Sequence, residues 1–299
     1  MIKKKGILGI WDLGKSPLFL GGILTLIEEL AILKIIHNIN LADLAIVGNV
    51  DKQSLFSRVM SGFAGVDNVY FFRNKKELDK FLKWKPHIIW PEVRRDKSIY
   101  ETYGNTLFVQ RFYKDKGYIP FLSVRPEIIS WVNNFYKNQV VDRHPVVVHL
   151  KYNPKCTKDC SNADFDAWYE FFKVCRQYKN IVFVLIGNDV VDRRIIKLSN
   201  VVVARDYGGN LIRDLGLIQM GYLFMGMASG PCNMAIFSKT PYIIYKDPPQ
   251  HNAEMLMELG RKNRYSFANS YQQFWRIYHT RENLLRKFLR VYENRKIPK

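Results

Sequence analysis

Apolar residues in this chain fall into short runs separated by polar stretches rich in glycine, proline and charge, the pattern of alternating buried strands and helices. In the first half, Gly6–Trp11 predicts a strand, Asp12–Gly22 a loop, and Ile23–His37 a helix that is apolar on most faces. Leu44–Val47 predicts a second strand, closed by Gly48-Asn49. Lys52–Ala64 has helical spacing, Val69–Phe72 reads as a strand and Lys75–Lys83 as a charged helix. His87–Trp90 is a further strand, followed by the charged loop Glu92–Asp96. Phe108–Lys116 and Tyr118–Leu122 fit either state, and Glu127–Lys137 predicts a helix with Pro126 in its first turn.

The polar stretch Asn138–Pro145 marks a domain boundary, which divides the chain into residues 1–140 and 141–280, with a basic segment at 281–299. After it, Val146–Leu150 (VVVHL) predicts a fully buried strand, and the loop Lys151–Ala163 and helix Asp164–Tyr178 follow. Strands at Ile181–Ile186 and Val201–Ala204 then alternate with helices at Asp192–Lys197 and Asn210–Gln219. Tyr222–Met225 is the next strand. A small-residue turn (Gly226, Ala228, Ser229, Gly230, Pro231), a helix at Cys232–Phe237 and a last strand at Tyr242–Tyr245 complete the run. Five strands in regular alternation with helices argue a parallel, doubly wound sheet. Ala253–Arg261 and Tyr271–Trp275 read as helical segments. Arg281–Tyr292 reads as a basic amphipathic helix, packed back across the domains or laid on a membrane surface.

Composition narrows the classes. The 299 residues suffice for two α/β domains, and no apolar run reaches the length of a membrane span. Leu18–Ile36 comes nearest, but Glu28, Glu29 and Lys34 interrupt it. The start shows no signal-peptide pattern, and four cysteines in so long a chain make no disulfide framework. Reduced thiols in a cytoplasmic protein are the expectation, with the inner face of the membrane as a peripheral location. Cys156 and Cys160 have a spacing that fits a shared metal, yet no second ligand pair accompanies them. The net charge of +19 implies an anionic partner: a phosphorylated substrate, an anionic membrane surface or nucleic acid. No nucleic-acid-binding motif is present, so a specific nucleic-acid partner is not predicted.

In open parallel sheets, ligands bind beyond the carboxyl ends of the strands. The Ser229-Gly230-Pro231 turn stands at such an end, where N–H groups opening the next helix at Cys232–Met234 favour an anion such as a diphosphate. The same glycines also suit a crossover that merely packs tightly. The first half lacks GxGxxG and GxxxxGK[ST], which speaks against a conventional dinucleotide or P-loop site.

Two Rossmann-like halves with a mid-chain boundary resemble the GT-B fold of nucleotide-sugar glycosyltransferases, two such domains facing across a cleft. The run Phe224–Ala235 (FMGMASGPCNMA), followed by Thr240-Pro241 and an apolar strand, resembles the donor-binding turn of the heptosyltransferase type. Upstream, Val182–Asn188 and Val201–Ile218 keep the same register, so the resemblance covers about residues 145–247. The chain departs from that pattern at Ala228, where the family places an acidic residue, and at Asn233, where it places a histidine. Asn233 can hydrogen-bond a phosphate or hydroxyl but brings no positive charge.

The resemblance implies transfer of a sugar from a nucleotide-sugar donor to a glycan or glycolipid acceptor of the cell-surface polysaccharide or lipopolysaccharide type, with no metal and no bound cofactor. It assigns the donor to His149, Lys151, Gly187, Asn188, Arg205, Asp206, Tyr207, Ser229, Gly230, Pro231 and Asn233. His149 fits a buried structural histidine equally well. A general base in the loop after the first strand falls on Asp12, with Glu92 as the substitute; a loop-capping role suits Asp12 as well. Gly14, Lys15, Arg94 and Arg95 are the candidates for an anionic acceptor. Two other readings stay open: a non-catalytic polyanion-binding protein on the same scaffold, and a nucleotide-sugar epimerase.

Overall fold

Parallel strands buried on both faces, each followed by a helix, build two sheets in the computed structural model. It describes residues 6–48, 59–84, 87–91, 104–155, 162–248 and 250–294. The chain divides into two compact units, 1–125 and 126–299.

The first unit carries β1 (Gly6–Asp12), α1 (Leu20–His37), β2 (Ala42–Val47), β3 (Asn68–Phe72), α2 (Lys75–Trp84), β4 (His87–Trp90) and α3 (Leu107–Lys116). Its four strands are parallel, in the order β3-β2-β1-β4. Strands β1 and β2 are buried almost throughout, as their uninterrupted apolar runs require. α1 starts earlier than the Gly21-Gly22 pair suggests. Both glycines are buried in its first turns, where packing outweighs their poor helix propensity. Leu107–Lys116 resolves to helix, whereas 118–122 has no regular structure. Of the predicted helix 52–64, residues 52–58 lie outside the described residues.

The second unit opens with α4 (Pro126–Phe135), a segment placed with the first domain in the sequence reading. It continues into a π-helical turn, Tyr136–Val140, whose Tyr136 hydroxyl donates to the Leu217 carbonyl at 2.9 Å. Then come β5 (His144–His149), α5 (Phe165–Val174), β6 (Ile181–Ile186), α6 (Arg193–Ile196), β7 (Val201–Val203) and α7 (Leu211–Met220). They are followed by β8 (Leu223–Met227), α8 (Cys232–Ile236), β9 (Tyr242–Tyr245), α9 (Asn252–Leu259), β10 (Gln272–Trp275) and α10 (Arg281–Asn294). The parallel sheet runs β10-β9-β8-β5-β6-β7.

Two elements differ from expectation. Gln272–Trp275, read as helical, is the sixth strand, pairing with β9 at the sheet edge. Four residues are too few for a period to show, and both faces are used: Gln272 is buried and its Nε2 donates to the carbonyls of Ser238 and Thr240. The basic segment after 281 folds into the second unit itself. α10 buries Leu284, Phe288 and Val291, and Phe288 meets Phe171 of α5 and Phe183 of β6 edge-on or tilted at 5.7 and 6.0 Å.

Candidate functional site

Chain order and sheet order together locate the crevice. In the second unit β5, β6 and β7 step outward in one direction, and β8 then returns to the other side of β5. The connections leave the carboxyl ends of β5 and β8 in opposite directions, opening a space where a ligand can sit. His149 ends β5 in register with Gly226 of β8, and Ser229 begins the turn just beyond.

His149 is buried, 5% exposed, yet both ring nitrogens are engaged. Nδ1 lies 2.8 Å from Ser229 Oγ and Nε2 lies 3.2 Å from Asp189 Oδ2. The other oxygen of Asp189 accepts the Tyr152 N–H at 2.9 Å. Burial pushes the Asp189 carboxyl up, but the bonds from His149 and Tyr152 outweigh it and hold the pKa below its usual value. With Nε2–H donated to this carboxylate, Nδ1 accepts the Ser229 O–H, and the lone pairs of Ser229 are left for other donors.

Two glycines make this approach possible. A Cβ on Gly226 would lie 2.5 Å from the His149 carbonyl oxygen, and one on Gly187 would lie 2.6 Å from the His149 ring. Gly187 also has φ +96°, open to glycine at little cost. Its N–H donates to Asp214 Oδ2 at 3.1 Å, and its carbonyl accepts from the Arg205 guanidinium. Asp214 is itself buried, and burial raises its pKa to about 6 against the opposing pull of the Gly187 N–H, Arg205 and His149. The loop after β6 is therefore clamped from three elements.

Around the β8–α8 turn, the N–H groups of Cys232, Asn233 and Met234 donate back to the carbonyls of Ser229, Gly230 and Pro231 at 3.1, 3.3 and 3.1 Å. Those amides, expected to face an anion, are already used by the tight turn. Positive charge comes instead from side chains. Lys151 follows β5 and Lys246 follows β9; burial, then the nearby charge of Lys151, lowers the Lys246 pKa. Cys232 is buried, its Sγ donates to the Met227 carbonyl, and burial lifts its thiol to about 11.

His149, Gly187, Arg205 and Ser229 are thus brought together. Asn188, Asp206 and Tyr207 are exposed, and Tyr207 rests edge-on against Phe135 at 5.9 Å. Asp189, Asp214 and Lys246 were missed by the sequence reading. Asp189 and Lys246 carry the signal that could have found them, a charged residue just past a strand's carboxyl end.

The first unit has its own switch point, between β1 and β4. Asp12 ends β1 there. Its Oδ1 accepts the Gly14 N–H at 2.9 Å and its carbonyl accepts those of Lys15 and Ser16 at 3.0 Å. Gly14 and Lys15 are exposed. Glu92, Arg94 and Arg95, with Cys156 and Cys160, lie outside the described residues. Among the described residues no cluster of three or more His, Cys, Asp or Glu is arranged to hold a metal, and no helix is long and apolar enough to cross a membrane.

No protein-family model matches the sequence, and no curated protein does. Solved structures do. The ADP-heptose lipopolysaccharide heptosyltransferase II of E. coli superposes with a TM-score of 0.57 at 12% identity, over 98% of this chain and 100% of its own. E. coli heptosyltransferase WaaC, solved with ADP-2-deoxy-2-fluoro heptose, gives 0.52 at 12% identity over 96% and 98%. A family 9 glycosyltransferase of Veillonella parvula gives 0.51 at 11% identity over 82% of each chain. What is shared at these identities is the fold: two parallel α/β units of the type found in these GT-B glycosyltransferases.

Proposed function

We propose that this protein is a glycosyltransferase, moving a sugar from a nucleotide-sugar donor to an anionic glycan or glycolipid acceptor of the cell-surface polysaccharide or lipopolysaccharide type, without a metal. The observation that carries the reading is the convergence of His149, Ser229, Gly187 and Arg205 at the switch point of the second sheet, with Lys151 and Lys246 beside it.

In this reading Lys151 and Lys246 offset the charge of the diphosphate as the sugar leaves, with no reorganisation cost at the moment of transfer. Ser229 contacts a phosphate oxygen, its hydroxyl turning from His149 Nδ1 to donate to it. Asp189 keeps the ring aligned, making it a positioning residue. Gly230, Pro231 and Asn233 shape the turn against the diphosphate, and Gly187 and Asn188 border the nucleotide. Arg205, Asp206 and Tyr207 are the candidates for base and ribose. Asp12 is the proposed base that takes the acceptor's proton, with Glu92 as its alternate; Gly14, Lys15, Arg94 and Arg95 are the candidates for binding the anionic acceptor. The net charge of +19 favours peripheral contact with an anionic membrane, the setting of a lipid-linked acceptor.

A thermal-shift screen of ADP-, GDP-, UDP- and CMP-sugars tests the reading, with ADP-heptose first because two fold neighbours are described with ADP-sugars. Stabilisation by one nucleotide class is expected. No stabilisation by any of them, with retained binding to anionic lipid or RNA, would instead favour a polyanion-binding protein on this scaffold.

A further inference from the structure

A second cationic recess lies at the β10 edge of the same unit and shares no residue with the donor site. β10 presents Gln273 and Trp275 on one face and Gln272 and Phe274 on the other, as strand alternation requires. α10 packs over the first of these faces, and between them is a cavity of about 330 Å³ lined by Ser270, Gln273, Trp275, Lys287 and Arg290, among others. That volume is at the lower end of small-ligand sites and suits a molecule about the size of a sugar phosphate.

Lys287 is the telling residue. It lines this cavity at 8% exposure, and the charges that act on it among the described residues, Arg286 and Arg290, are both positive. Its Nζ stands 2.9 Å from the centre of the Trp275 ring, and the Arg290 guanidinium stands 5.9 Å from the same ring. Burial, followed by the like charges of Arg286 and Arg290, pushes the ammonium down to about 8. Among the described residues this buried cation has an aromatic ring and like charges beside it, and an entering anion would supply the opposite charge it lacks. Ser270 and Gln273 add a hydroxyl and an amide able to donate to the same oxygens.

We propose that the β10–α10 cavity binds a phosphate-bearing ligand, with Lys287 and Arg290 meeting the phosphate and Trp275 flanking the remainder. Two cations and several donors match a dianion with three acceptor oxygens better than a single carboxylate. A soluble sugar phosphate and a phosphorylated lipid headgroup share this chemistry.

The full chain can be reductively ¹³C-dimethylated and titrated by NMR with inorganic phosphate and with glycerol 1-phosphate; the lysine resonance missing from Lys287→Met is that of Lys287. It is expected to move saturably with both probes, and to do so equally in Lys151→Gln, which separates this site from the donor site. Arg290→Gln is expected to weaken the titration at least fivefold. Without phosphate, Lys287→Met is expected to melt at or above the wild-type temperature, because a buried unpaired charge has been replaced by an apolar chain. Sedimentation with phosphatidylcholine vesicles containing phosphatidic acid distinguishes the sources: retention lost in both variants assigns a lipid headgroup, and phosphate binding without retention assigns a soluble ligand. A Lys287 resonance that stays fixed at tens of millimolar of either probe overturns the proposal. So does a Lys287→Met variant that melts several degrees below wild type, which would make the lysine–tryptophan contact purely structural.

Discussion

At the scale of single residues, the fold brings together side chains 40 and 80 positions apart: Asp189 on one side of His149 and Ser229 on the other. Ser229→Ala is expected to cost about 1 kcal/mol of nucleotide-sugar affinity, roughly fivefold in Kd. His149→Ala is expected to cost more, because it also releases the ring against which the loops of Gly187 and Ser229 are set. Calorimetric titration of each variant checks the order. Asp214 gives a prediction in pH. Its folded pKa of about 6 stands above the ordinary aspartate value, so the native state holds this proton more tightly than the unfolded chain. The resulting penalty is absent below about pH 4, grows between pH 4 and 6, and is complete above, at most about 3 kcal/mol. Asp214→Asn keeps an oxygen for the Gly187 N–H and removes the titration. It should gain stability over wild type as pH rises through that window, and urea melts at pH 4.5 and 7.5 measure the difference. Equal gains at both pH values would contradict the assignment.

At the scale of elements, α10 belongs to the core of the second unit. Phe288→Ala removes the side chain that meets Phe171 and Phe183, and should cost about 3–5 kcal/mol in a urea melt of the full chain. A loss under 1 kcal/mol would mean that the helix is a surface appendage. The central strands were legible in the sequence because fully buried parallel strands read as unbroken apolar runs, as at Val146–Leu150 and Ile181–Ile186. The edge strand β10 was not, since QQFW is short and buries a glutamine whose partners lie on the turn from Ser238 to Thr240. Nor could the amide bonds that close the β8–α8 turn be foreseen, because a glycine–proline turn does not declare which carbonyls it folds back on. The residues at strand ends were legible as a class. Their pairing was not, because sheet order decides which ends become neighbours.

At the scale of the whole molecule, 46 lysines and arginines against 27 acidic residues surround the proposed chemistry with positive potential. Attraction of this kind acts over about a Debye length, about 8 Å at physiological salt. Sedimentation with vesicles containing anionic lipid should therefore fall steeply between 50 and 500 mM salt, as order-of-magnitude bounds on screening. Binding that ignores salt would point to an apolar contact instead. Whether the carboxyl-end crevice of the second sheet holds the diphosphate of a nucleotide-sugar is decided by calorimetric titration of wild type and Lys151→Gln with ADP-heptose and GDP-, UDP- and CMP-sugars. One nucleotide class is expected to bind at a single site, weakened about tenfold or more in Lys151→Gln; no binding by any of the four, or binding that the variant leaves unchanged, would rule the diphosphate site out.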